Sequence, residues 1–110
     1  MTIAQLAEKL DAKFINCVDP DRQINCGYAG DFLSFVIGNA PSGCAWFTIM
    51  NNLNVCAVAT LAEVAVIVLC EGVTPDDALL EKVRAQEVNL IATKSDVFTA
   101  IKKVAGYLGE

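Results

Sequence analysis

The chain contains no histidine. That absence excludes Ser-His-Asp and Cys-His catalysis, histidine-ligated zinc and an imidazole proton shuttle. Basic charge is scarce too: eight Lys and Arg stand against thirteen Asp and Glu, for a formal net charge of -5. Such a surface repels phosphate backbones and anionic lipid, so neither nucleic acid nor a membrane is expected as a partner. No G-x-G-x-x-G or G-x-x-x-x-G-K-[ST] phosphate loop occurs. A C-x-x-C pair is missing as well. The five cysteines (Cys17, Cys26, Cys44, Cys56, Cys70) lie nine, eighteen, twelve and fourteen residues apart. All-thiolate metal sites use close pairs, so no metal and no cofactor is expected. No base is at hand to activate a thiol as a nucleophile. The cysteines read as reduced thiols acting as small hydrophobes.

Long apolar runs are also absent. The most hydrophobic window, Val55 to Cys70, is about sixteen residues long and is interrupted by Thr60 and Glu63. A membrane span needs roughly twenty. Met1-Thr2 leads into an amphipathic stretch rather than an apolar signal region. The expected location is the cytoplasm. What is present is a chain of 110 residues, 55% hydrophobic and 19% charged, proportions that a disordered chain would invert. One domain spanning residues 1–110 is expected, burying roughly two-thirds of the unfolded surface.

Thr2-Ile3-Ala4-Gln5 has capping-box spacing and opens a helix with Ile3, Leu6, Ala7 and Leu10 on one face. Lys13 to Val18 and Arg22 to Tyr28 read as strands parted by the turn Asp19-Pro20-Asp21, and the pair could form an antiparallel edge. Asp31 is placed to cap a short helix carrying Phe32, Leu33, Phe35, Val36 and Ile37, which the Gly38 to Gly43 cluster stops. Ala45 to Ile49 is a third strand. The asparagines at 51, 52 and 54 can cap a helix running to Glu63, apolar nearly all round and therefore expected to be buried on more than one side. Ala65 to Cys70 is a valine-rich run suited to a strand covered on both faces. Thr74-Pro75-Asp76-Asp77 opens the next helix, with proline in its first turn and Leu79, Leu80 and Val83 inward. Asn89 to Ala92 is a short strand. Thr93-Lys94-Ser95-Asp96 starts a last helix with Val97, Ile101, Val104, Ala105 and Leu108 on its stripe. Strand and helix alternate with short connections, so the expected fold class is α/β: a layered domain with a mainly parallel sheet flanked by helices.

In an open parallel sheet, ligands gather beyond the carboxyl ends of the strands. The tips here are Gly30-Asp31, Thr48 through Asn54, Cys70-Glu71-Gly72 and Thr93-Lys94-Ser95. If the strands are neighbours, the tips meet along one border. The candidate ligand-binding residues are therefore Gly30, Asp31, Thr48, Asn51, Asn52, Asn54, Glu71, Gly72 and Thr93, with no catalytic and no metal-binding residue. Several have ordinary structural readings: the asparagines and Asp31 as helix caps, Gly72 as a turn residue beside a solvated Glu71, and Trp46 as core or subunit interface. Four aspartates lie near helix starts and Lys94 is the one cation at the tips, so a neutral or weakly charged small metabolite or nucleoside-like ligand fits better than a triphosphate.

The strings G-Y-A-G-D-F-L-S-F-V-I-G-N-A from Gly27, A-W-F-T-I-M-N-N-L-N-V-C-A-V-A-T-L-A-E-V-A-V-I-V-L-C-E-G from Ala45, and N-L-I-A-T from Asn89 resemble the DRTGG domain, particularly its short stand-alone members in anaerobic bacteria. The resemblance runs from about Thr2 to Leu108. It implies a fold similar to the N-terminal domain of HPr kinase/phosphorylase and a non-enzymatic regulatory or oligomerising module, often a homodimer. It also implies a link to redox metabolism, since some stand-alone members lie beside genes for iron-only hydrogenases or NADH-dependent electron-transfer complexes. The chain departs from the name-giving motif, with Asn51-Asn52-Leu53-Asn54 in place of G-D-R and Cys70-Glu71-Gly72 in place of T-G-G. Two readings follow. One is a ligand-sensing or oligomerising regulatory domain; the other is a protein-interaction subunit that docks on a larger redox enzyme without a small ligand. A small kinase or transferase is disfavoured, because phosphoryl transfer relies on cationic positioning.

Overall fold

The computed structural model describes residues 1–108. Thr2 opens α1 (Ile3–Lys9) through a complete capping box: its hydroxyl accepts from the Gln5 amide, and the Gln5 side chain accepts from the Thr2 amide. The chain then alternates through β1 (Lys13–Asn16), β2 (Cys26–Ala29), α2 (Leu33–Asn39), β3 (Cys44–Thr48), α3 (Asn54–Ala62), β4 (Val66–Leu69), α4 (Asp77–Gln86), β5 (Leu90–Ala92) and α5 (Val97–Val104). A single 3-10 turn follows at Ala105–Tyr107.

The sheet order is β1-β5-β4-β3-β2. The pairs β2/β3, β3/β4 and β4/β5 are parallel, while β1 lies antiparallel against β5. The strands from β2 to β5 therefore advance in one direction across the sheet. Right-handed crossovers between parallel neighbours place their connecting helices on a common face. The core divides accordingly. Val36, Leu79, Val83 and the buried residues of α3 pack with Trp46, Ile67 and Leu69 on one side. Residues Ile3, Leu6 and Leu10 of α1 and Ala100 and Val104 of α5 pack with Phe47, Val66, Val68 and Ile91 on the other. The split follows the two-residue period of strands: Trp46 and Phe47 are adjacent in sequence and belong to opposite cores.

The mainly parallel α/β architecture is as the sequence implies. Several local expectations need correction. Only β1 forms an antiparallel edge; β2 joins the opposite edge in parallel. The predicted Arg22–Tyr28 strand shortens to Cys26–Ala29, with Gln23 making an isolated bridge to Thr2. Pro75 precedes the N-cap Asp76, whose carboxylate accepts from the Leu79 amide. Ala105 leaves the inward stripe because the last turn tightens, and Ala100 is buried instead. Helix α3 is covered by the sheet, α2 and α4, yet exposes Asn54, Ala57 and Leu61 on one outer face.

Buried polar groups are paired. Asn89 donates to the Ala65 carbonyl at 3.0 Å and accepts from the Val18 amide at 2.9 Å. Asn16, at a register shift in β1, donates to the carbonyls of Val83 and Val88 at the end of α4. No described buried side-chain nitrogen or oxygen lacks a partner, as native interiors require.

Candidate functional site

Because β2, β3, β4 and β5 are parallel neighbours, their carboxyl ends lie along one border. All nine candidate residues fall there, spread over three strand spacings, roughly 14 Å at about 4.8 Å each. Hydrogen bonds stitch successive tips together. The Trp46 indole donates to the Gly30 carbonyl at 2.9 Å from a fully buried position on β3. The Asp31 carboxylate accepts from the Thr48 hydroxyl at 2.7 Å and from the Ile49 amide at 2.9 Å. Asn51 donates its side-chain amide to the Thr74 carbonyl at 2.8 Å, and its own carbonyl accepts from the Asp76 amide at 3.2 Å. The Glu71 amide donates to Ser95 and the Gly72 amide to Thr93, at 2.8 and 3.0 Å.

Asp31 is therefore not a helix cap. Phe32 occupies the N-cap position of α2 without a side-chain bond, because the Asp31 carboxylate is drawn across to the neighbouring tip, where a hydroxyl and an amide both point at it. Asn52 does serve the start of α3: its side-chain oxygen accepts from the Asn54 amide at 2.9 Å, an Asx turn just ahead of the N-cap position at Leu53. Asn54 is the first helical residue and is exposed. The hydroxyl of Thr48 is buried and also accepts from the Met50 amide. The hydroxyl of Thr93 is buried too, donating to the Leu10 carbonyl and accepting from the Ser95 amide. These two threonines hold the border together from within.

At the other end, Cys70-Glu71-Gly72-Val73 forms a tight turn. Glu71 and Gly72 have φ of 67° and 68°, and the Val73 amide donates to the Cys70 carbonyl at 3.3 Å. Two successive left-handed residues define a type I′ turn, which is why glycine stands at one of them. The Glu71 side chain is solvent-exposed. Beneath it, the Cys70 thiol is fully buried in the core. Burial, followed by the negative charges of Glu71, Asp31 and Asp96, pushes its pKa up to about 12. Burial raises Cys44 to about 11 and raises Cys17 and Cys56 as well. None of these four is a nucleophile at neutral pH.

A cavity of about 390 Å³ opens at the β4–β5 end of the border. Of the nine candidate residues, only Gly72 and Thr93 line it. Gly30, Asp31 and Thr48 belong to the far, β2–β3 end, with the asparagines between. Lys94 is joined around the cavity by Lys13 and Lys103, so it is not the sole cation at the tips. The antiparallel direction of β1 brings the start of that strand to the tail of β5, with Lys13 paired to Ala92. Lys103 reaches back along α5 to within 3.5 Å of the Ser95 hydroxyl. The eight-residue step from Ser95 to Lys103 is about two helical turns, a same-face signal legible in the sequence; the approach of Lys13 is not. Among the described residues, no group of three or more His, Cys, Asp or Glu side chains is placed to hold a metal ion. No described helix is long and apolar enough to cross a membrane.

Fold and border define an α/β domain of the layered type, with short tip loops along the carboxyl end of its sheet. The sequence model of the DRTGG domain matches residues 42–107, more than half of the chain, and the protein belongs to that family. Its structure is similar to that of the CBS and DRTGG domains of the regulatory region of Clostridium perfringens pyrophosphatase, solved in complex with the activator diadenosine tetraphosphate. The TM-score is 0.74 at 16% sequence identity, over 94% of this chain and 46% of that one. This chain thus spans less than half the length of that neighbour. No curated protein matches the sequence.

Proposed function

We propose that this protein is a non-enzymatic regulatory domain that senses a small ligand at the carboxyl border of its sheet. The observation that carries the reading is the coincidence of family and geometry: a DRTGG domain with an open, ligand-sized cavity beside its β4 and β5 tips. The pyrophosphatase neighbour was solved with a nucleotide activator, which supports a nucleotide as the class of ligand. The candidate residues divide by role. Gly72 and Thr93 face the ligand, while Gly30, Asp31, Thr48, Asn51, Asn52, Asn54 and Glu71 form the bonded rim that would relay its presence along the border. The absence of histidine and the raised cysteine pKa values argue against catalysis.

A homodimer is part of this proposal. Phe32 and Phe35 on α2 are 66% and 63% exposed and stack edge-to-face at 5.1 Å, with Ile37 also exposed nearby on the helix. An apolar group of this kind on one short helix suits burial against a second copy. The same helix would serve the alternative reading of docking on a larger redox enzyme, for which the family resemblance is the support.

A thermal-shift screen with mononucleotides, dinucleotides and uncharged metabolites tests the reading. A ligand at a hundred times its Kd stabilises the native state by about 2.7 kcal/mol, so at least one class should raise Tm by several degrees. A flat response to every class overturns ligand sensing.

A further inference from the structure

The charge around the cavity runs against the charge of the chain. The protein carries a net charge of -5, yet three of its eight basic residues, Lys13, Lys94 and Lys103, line this one cavity against a single acid, Asp11. They come from three separate places: the first residue of β1, the loop after β5 and the body of α5. All three are exposed, so none sits there to neutralise a buried carboxylate. Between them the wall is apolar, with Leu10 and Pro75 both buried. A concave, partly apolar site with a few converging polar groups is the ordinary form of a small-molecule pocket, and 390 Å³ lies near the lower end of the usual range of about 300–1,000 Å³.

We propose that this cavity binds a phosphorylated mononucleotide-sized anion, its phosphates held by Lys13, Lys94 and Lys103 and its apolar body laid against Leu10 and Pro75. The inference rests on the ligand-sensing reading and deepens it, naming the end of the border and the charge class of the ligand. It replaces the neutral ligand expected from the sequence. Lysine binds phosphate as a point charge on a flexible stem, so three stems around one opening follow a ligand without a preformed phosphate loop. On a surface otherwise acidic, they are also the local field that draws an anion to this end of the border.

The test is a titration of the 15N-labelled full chain with adenosine, AMP and ADP at low ionic strength, followed by amide chemical shifts. The expected result is binding in the order ADP, AMP, adenosine, with shifts centred on Gly72, Thr74, Lys94 and Ser95. Replacing both Lys94→Met and Lys103→Met should weaken ADP binding by about tenfold or more. Lys102→Met, on the same helix but outside the cavity, should leave it unchanged. All three lysines are exposed, so the variants keep the fold. Equal ADP binding by the double variant, or adenosine binding as tightly as ADP, overturns this site and leaves ligand sensing standing. If all three probes fail, the anion site falls; a Tm rise with another, uncharged metabolite would then keep the broader reading alive.

Discussion

Asp31, just beyond β2, accepts the hydroxyl proton of Thr48, the last residue of β3, at 2.7 Å. The same carboxylate takes the Ile49 amide, so a single side chain fastens two strand exits. A helix cap would act within its own segment; this contact acts between segments. Thr48→Val should cost about 1 kcal/mol and Asp31→Ala about 1–3 kcal/mol. The double variant should fall short of their sum by at least about 0.5 kcal/mol, since contacting residues are coupled. Urea denaturation of the four proteins checks this, and strict additivity would refute the pairing.

Helix α4 ends on Glu87 at φ 56°, in the left-handed region that glycine adopts without cost. Glu87→Gly should raise stability by about 0.5–1 kcal/mol, or several degrees in Tm for a domain of this size. Gly43 is the reverse case. It has φ 79°, and a Cβ there would clash with the side-chain amide of Asn25. Gly43→Ala should therefore destabilise by more than Glu87→Gly stabilises.

The thiols predict both reactivity and alkaline behaviour. Cys44, Cys56 and Cys70 are buried, so alkylation of the native protein at mildly alkaline pH should reach Cys17 and Cys26 at most. All five should react in denaturant, as intact-mass measurement would show. The raised pKa values of Cys44 and Cys70 favour the neutral thiol in the folded state. Their contribution to stability is complete below the ordinary value of 9.0 and is lost as pH climbs toward about 11 and 12. Denaturation midpoints should decline over that interval.

Asp96 governs the opposite limb. Its carboxylate accepts from the hydroxyl and the amide of Thr99 at the start of α5, which lowers its pKa below 3.8. A lowered carboxylate stabilises the fold above its unfolded value, and that contribution disappears as pH falls through the lowered one. Asp96→Asn should flatten the acid side of the stability profile below about pH 4, as urea midpoints measured across pH would show.

Light scattering at micromolar concentration should return a dimer mass, and Phe35→Asp should return a monomer that is still folded by circular dichroism. Phe35 is exposed in the protomer, so the charge costs the isolated fold little. A wild-type monomer would remove the dimer from the proposal.

Much of this protein is legible in its sequence because the governing interactions are short. The capping box at Thr2, the all-buried valine run of β4 and the alternation of strand and helix are each set by contacts within a few residues. They fix the α/β class and place the strand tips. The partners of those tips are another matter. Asp31 has the look of a cap until Thr48 is set beside it, and Lys13 is an unremarked strand start until β1 turns antiparallel to β5. Strand order and direction depend on how two apolar faces are shared among five helices, a long-range packing choice that local spacing does not encode. Sequence alone therefore determined which loops could form a border, while tertiary structure decided which side chains would be spent tying it together and which would surround an open cavity.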